Sequence, residues 1–319
     1  MPGEVFYLIL NMSLASCFII AALLLLQLFK PLPRRFSYPV WALAFFRLTV
    51  PFALSSRWSL FNFTGGLVKR LVTIETITYG TVPAPEAGNL SIMNMIGAAE
   101  SYVPIEYKTE TWRRAFIISS NVWAIIAAVL LLAACILYIL TRKELNKAIN
   151  IRDNIYYSDM LLSPVLVGVL RPRIILPEGL DPDSTEGMMI LAHENVHRRR
   201  LDNLWRTLAI GIACVHWFNP LVWLMLKMFF RDMELSCDEA VLRSGRYSSS
   251  DCRDYASVLL RFADDKRLLI SSAFGRSCVK VRILNVLNYK KITVAGAAAS
   301  AVLLLALALI LITNPSLRG

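Results

Sequence analysis

Two histidines and a glutamate stand in the run HENVH, with His193 and His197 four residues apart and Glu194 directly after the first. On a helix this spacing puts both imidazoles on one face, about 6 Å apart along the axis. Two imidazoles so placed suit one tetrahedral zinc ion. Glu194 then borders the open coordination position, where it can take a proton from water and pass it to a leaving amine. The chain holds three histidines in all, and two of them fall in this pattern.

A catalytic zinc site needs a third protein ligand. In the run MELSCDEA, Glu234 and Asp238 share a helix face through their four-residue separation. Glu234 is read as the third ligand, and Asp238 as the carboxylate that accepts the outward N–H of a ligating histidine. Cys237, Glu239 and Asp202 are rival ligands. A purely structural zinc would call for a fourth protein ligand. His216, in HWFNPLVW, reads as an imidazole packed beside aromatic rings, with oxyanion stabilisation as the alternative.

The elements that position these residues follow from composition and spacing. Of the 319 residues 56% are hydrophobic, and the mean hydropathy is +0.53. Soluble chains sit nearer about 45–50% apolar. Residues 6–28, 115–140 and 293–313 carry no charge, and residues 36–55 carry only Arg47. Each stretch approximates the ~20 residues a bilayer-crossing helix needs, so four spans are expected. Arg47 inside a span is expected to meet a buried carboxylate. The leader before residue 6 has no basic residue and no small-residue cleavage site follows, which favours a retained span over a signal peptide.

Lys30, Arg34, Arg35, Arg142, Lys143, Lys147, Lys290 and Lys291 flank the spans on what four crossings make one side. That side is read as cytoplasmic. The N-terminus, residues 57–114 and the C-terminus then lie outside, with Arg113 and Arg114 a smaller cluster against this orientation. The net charge of +11 is concentrated beside the spans and in the cytoplasmic segment, so attraction to lipid headgroups accounts for it without direct nucleic-acid binding. Of the six cysteines none falls in the outer segment and no CxxC pair occurs, which argues against disulfides there and against a cysteine zinc site.

The expected organisation is two N-terminal transmembrane helices in 1–56, an extracellular loop in 57–114 and a third span in 115–140. A cytoplasmic-facing domain fills 141–291, and a fourth span with a short outer tail fills 292–319. Within the domain, residues 141–153 read as a polar helical segment. Two β-branched runs punctuated by Pro164, Gly168, Pro172 and Pro177 read as a small β-hairpin. Asp183 to Glu186 has capping-box spacing ahead of the motif helix. Residues 207–230 are long enough to cross a bilayer, but Asn219-Pro220 reads as an N-cap with proline at the first helical position. The segment must return to the side it left, because zinc bonds of about 2 Å require His197 and Glu234 on one side. Residues 231–243 and 248–264 read as further helices.

Together HENVHRRRLDN, HWFNPLVW and RDMELSCDEAVL resemble the bacterial β-lactam sensor–transducer metallopeptidases, the antirepressor family that includes the penicillin and methicillin resistance sensors. The likeness covers order and spacing from about residue 163 to residue 286. It implies an inward-facing zinc (Zn2+) protease with His193, His197 and Glu234 as ligands and Glu194 as base. It also implies cleavage of a cytoplasmic transcriptional repressor and self-cleavage in the loop before the last span, here about residues 271–280, with Ala273–Phe274 as the candidate bond. The family's best-known members continue into an extracellular penicillin-binding domain with an acylated Ser-x-x-Lys. This sequence ends at Gly319, so β-lactam binding finds no support in it, and residues 57–114 become the candidate outer sensor.

The expectation is therefore a mainly α bacterial cell-membrane protein, multi-pass, with four transmembrane helices around a cytoplasmic-facing α+β HExxH zinc metallopeptidase domain. Its partners are the lipid bilayer and a protein substrate, with a second copy of the chain as a further candidate. A housekeeping quality-control protease, differing in substrate breadth, and a non-enzymatic transducer are the alternatives.

Overall fold

In the computed structural model, residues 2–28, 34–50, 55–56, 110–244, 249–262, 279–289, 293–312 and 314–315 are described. The candidate bond Ala273–Phe274 and most of the expected outer loop fall outside them. The N-terminal uncharged stretch forms α1 (Pro2–Leu28), the second forms α2 (Arg34–Thr49), and the third lies within α3 (Glu110–Leu145). The last forms α9 (Val294–Ile312). Among the described residues, two helices are long and apolar enough to cross a membrane, over Val5–Gln27 and Arg114–Leu145. The other two expected spans form shorter helices of 16 and 19 residues, the first of them carrying Pro39.

Polar side chains of α1 bond in part to the helix's own backbone. Asn11 Nδ2 donates to Tyr7 O at 2.9 Å and Ser16 Oγ to Met12 O at 2.6 Å. α2 is enclosed along one face. Trp41, Ala44, Phe45 and Leu48 pack with Ile19, Ile20 and Leu23 of α1 and with the helices that follow the metal motif. Arg47 is also buried there.

Residues 149–177 build a four-stranded sheet from β1 (Ile149–Arg152), β2 (Ile155–Ser158), β3 (Val165–Val167) and β4 (Arg173–Pro177), in spatial order β1-β2-β4-β3. β3 and β4 pair antiparallel as the expected hairpin, and β2 joins β4 in parallel. The polar helix expected over 141–153 is corrected. α3 stops at Leu145, and β1 and β2 form a second hairpin that turns through Asp153 at φ 44°. Aspartate tolerates that left-handed geometry, and the alternating isoleucines of INIR suit a strand.

One sheet face, through Leu166, Ile174 and Leu176, packs on Leu180 and Ile190, so α4 (Thr185–Arg200) is pinned to the sheet. Its N-cap is Ser184, one residue later than the capping-box reading from Asp183. Ser184 Oγ accepts from Gly187 N at 3.0 Å, while Asp183 pairs with Arg152 at 2.8 Å instead. Glycine is required at 187, because a Cβ there would stand 2.0 Å from Asp181 O.

Then come α5 (Asp202–Val215) and α6 (Pro220–Arg243). They separate at the expected place: Asn219 Oδ1 accepts from Leu221 N at 3.0 Å, and Pro220 opens α6. The two helices expected from 220 to 243 are in fact one continuous helix of 24 residues. Its first half packs on α2 through Val222, Met225, Leu226 and Phe229. Its second half faces the motif helix. α7 (Ser249–Arg261) and α8 (Val279–Leu287) close the domain around Met189, Val241, Tyr255 and Val286.

Candidate metal centre

α4 presents His193 and His197 on the face turned to α6, and both are buried. The helix ends at Leu201 in a left-handed conformation, φ 55°, with its N–H returned to Arg198 O and His197 O. Such a conformation costs a β-carbon-bearing residue about 1–2 kcal/mol. It reverses the chain so that α5 begins at once, and this brings fully buried Asp202 back beneath the motif. There Asp202 Oδ2 lies 2.6 Å from His197 Nδ1.

His193 has an equivalent support on its other ring face. Its Nδ1 lies 2.9 Å from Tyr255 Oη and 3.2 Å from Asp238 Oδ1. Tyr255 donates to the same Asp238 oxygen at 2.8 Å. With each Nδ1 turned to an acceptor, the two Nε2 atoms face each other at 3.1 Å. Glu234, from α6, places Oε2 3.5 Å from His193 Nε2 and Oε1 3.7 Å from His197 Nε2. Ligand atoms on one tetrahedral ion with ~2 Å bonds stand about 3.3 Å apart, so this donor set fits zinc in both spacing and chemistry.

Cys237 is a second candidate for the third position. Its sulfur and the two imidazoles offer ligand atoms within 4.8 Å of one another. Its thiol is fully buried and donates to His193 O at 3.3 Å. Glu239 faces elsewhere, accepting from the backbone N–H groups of Arg34 and Arg35 at 3.2 and 3.1 Å. Asp202, weighed above as a ligand, stands against Nδ1 of His197, on the ring edge away from His193. Glu194 is half-buried one residue along α4 from His193. His216 is remote from the cluster, its Nε2 3.1 Å from Leu48 O, in keeping with the packing role.

Two arginines complete the surroundings. Arg282 of α8 donates to Asp238 through Nε at 2.9 Å and Nη2 at 2.8 Å, and its Nη1 lies 3.1 Å from Glu234 Oε2. Arg206 of α5 pairs with Glu234 Oε1. Burial pushes the Glu234 carboxyl upward, but the charges of His197 and Arg282 outweigh it and hold it well below the usual range. Burial likewise opposes ionisation of Asp238, and Arg282 brings it down to about 2. Burial disfavours protonation of both imidazoles. Cys237 and Tyr255 beside His193, and Cys237 and Glu234 beside His197, nevertheless raise them well above the ordinary histidine value.

Tyr255, Arg206, Arg282 and the ring-supporting place of Asp202 were not foreseen from spacing. Tyr255 and Arg282 come from helices far along the chain, and no local pattern marks them. Replacing Asp238 by asparagine is expected to weaken zinc binding by about 10–100-fold, the range for removing a partner of a ligating histidine. Competition with a chromophoric chelator measures it.

The sequence profile of the family described as BlaR1 peptidase M56 matches residues 7–284. The chain belongs to this peptidase family. The M56 chain is also similar to the regulatory protein BlaR1 of Bacillus licheniformis, 37% identical over 167 residues that make up 50% of this chain and 28% of the relative. The methicillin resistance mecR1 proteins of Staphylococcus aureus and Staphylococcus epidermidis are each 29% identical over 93 residues, 28% of this chain and 16% of theirs. The matched part thus spans under a third of the length of these relatives. Membership makes the M56 chain a metallopeptidase-type protein of the antibiotic-resistance sensor family, as its three motif runs led one to expect.

Proposed function

We propose that this M56 chain is an integral membrane zinc endopeptidase that transmits a signal by cleaving a cytoplasmic transcriptional repressor, with its own Ala273–Phe274 bond as a second substrate. The observation that carries the reading is the convergence of His193 Nε2, His197 Nε2 and the Glu234 carboxylate within 3.1–3.7 Å. In this reading those three side chains are the ligands. When bound, zinc would polarise the scissile carbonyl and acidify a water molecule. Glu194 would accept the proton of the attacking water and pass it to the departing amine. Asp202 and Asp238 keep the two rings in the tautomer that leaves Nε2 free for metal.

Four spans, with both termini outside and the protease domain facing the cytoplasm of a bacterial cell, agree with the Lys and Arg clusters beside the apolar stretches. The return of the chain at Asn219-Pro220, which keeps His197 and Glu234 on one side, supports the same arrangement. The shorter α2 is accommodated in it by packing against α1 and α6, the shorter α9 by packing against α2, both with local bilayer thinning.

The test is direct. Detergent-purified chain should carry about one zinc, as a three-ligand catalytic site requires. It should hydrolyse fluorescein-labelled casein or its own loop, lose that activity to 1,10-phenanthroline, and regain it with added zinc. Metal-loaded, folded protein that cuts neither itself nor casein would favour the non-enzymatic transducer. Comparing cytoplasmic proteins from cells expressing the natural chain and Glu194→Gln then identifies a repressor substrate by its cleaved fragments. A broad set of fragments from damaged membrane proteins would point to quality control instead.

A further inference from the structure

The two aspartates that support the imidazoles are held from different parts of the molecule. Asp238 is held by Tyr255 and Arg282, from the helices that close the protease domain. Asp202 is fully buried, and its Oδ1 accepts a hydrogen bond from Tyr38 Oη at 3.0 Å. Tyr38 belongs to α2, the helix enclosed within the apolar cluster.

The Tyr38 ring has little freedom. It stacks on Phe229 of α6 with centroids 5.4 Å apart and planes at 25°. Phe229 in turn takes Phe45 of α2 edge-on at 4.9 Å. On one side of Tyr38, Glu239 of α6 accepts from the N–H groups of Arg34 and Arg35 at the start of α2. On the other, buried Asp232 of α6 accepts from Trp41 Nε1 at 3.0 Å. The register of α2 against α6 therefore fixes where the Tyr38 hydroxyl stands. One carboxylate then links that hydroxyl to a ring of the metal centre, since Asp202 Oδ2 meets His197 Nδ1 at 2.6 Å.

We propose that Tyr38 is a positioning residue for the metal centre: acting through Asp202, it orients the His197 ring, so that α2 sets the coordination geometry. This rests on the reading of His193, His197 and a carboxylate as the ligand set. A buried carboxylate that loses one of two strong donors reorients toward what remains. The imidazole hydrogen-bonded to its other oxygen turns with it. Metal-site rings tolerate such turning poorly, as the cost of losing a ring partner indicates.

The test uses the full chain in detergent, with Tyr38→Phe, Asp202→Asn and the double variant. Phenylalanine keeps the stack on Phe229 and removes only the hydroxyl. Zinc affinity by chelator competition and the visible spectrum of the cobalt-substituted protein are the readouts. Tyr38→Phe is expected to weaken zinc binding by about 10-fold, the lower end of the range for such partners, and to shift the cobalt bands. In the double variant, adding Tyr38→Phe to Asp202→Asn should change little further, because the two act through one path. Unchanged affinity and spectrum in Tyr38→Phe, or strictly additive losses, would overturn the proposal. A loss of thermal stability with an unaltered cobalt spectrum would do the same, leaving Tyr38 a packing residue. If the unsubstituted chain takes up neither zinc nor cobalt, the metal-centre reading itself falls, which is a separate result from an indifferent Tyr38.

Discussion

Glu194→Gln is expected to lower peptide hydrolysis by about 10²–10⁴-fold, the range for a general acid–base group, while zinc content stays unchanged. Glutamine keeps the size and hydrogen-bonding reach of the side chain but cannot accept and release a proton at neutral pH. Glu194 lies outside the set of atoms that converge between the imidazoles, so its amide leaves that set intact. The backbone of α4 is held independently by Ser184 at its start and by Leu201 at its end, so the fold should not respond. Steady-state hydrolysis and metal analysis on the same preparation separate the two effects. A rate within a few-fold of the natural protein would remove Glu194 from the base role. Zinc loss in the same variant would make it a ligand.

The second large effect separates the two candidates for the third ligand. Glu234→Ala is expected to weaken zinc binding by more than about 100-fold, beyond the range for partners that only orient a ligand, and to abolish hydrolysis. Cys237→Ser should keep both. The carboxylate already reaches both Nε2 atoms at 3.5 and 3.7 Å, whereas the Cys237 thiol is engaged with the carbonyl of His193 at 3.3 Å. Ligation by sulfur would give up that bond and require a buried thiolate. Because alanine also leaves Arg206 and Arg282 without their shared carboxylate, Glu234→Gln serves as the milder companion. It keeps a polar group before both arginines and still loses anionic ligation. The reverse outcome, with metal lost in Cys237→Ser and kept in both Glu234 variants, would reassign the ligand to sulfur.

Local patterns were the legible part of this molecule. HENVH carries its own geometry because helix spacing alone puts His193 and His197 together, and the Asn219-Pro220 break announces itself by capping chemistry. The face shared by Glu234 and Asp238 could be read in the same way, and both do turn toward the imidazoles. What escaped was set by tertiary contact. The first hairpin hides in a short polar run where INIR and a turn at Asp153 compete with the tail of α3. The cap is Ser184 rather than Asp183, whose carboxylate instead pairs with Arg152 on β1. Asp202 was weighed as a ligand because nothing in the sequence shows that Leu201 adopts a left-handed turn and delivers it to the far edge of His197. Arg282 carries no local pattern that marks it, and its role emerges only when α8 is folded against Asp238.

The unbroken course of α6 from Pro220 to Arg243 makes it a lever. At ~1.5 Å per residue, Glu234 stands about 21 Å along the axis from the proline. A tilt of about half a degree about that pivot displaces the carboxylate by about 0.2 Å, the whole tolerance of a well-formed metal–ligand distance. Angular changes too small to disturb the packing of Val222, Met225 or Phe229 on α2 are therefore large on the scale of coordination chemistry. With metal held at the proposed site, the Glu234 carboxylate would follow small changes in how the apolar helices sit at the other end of the rod.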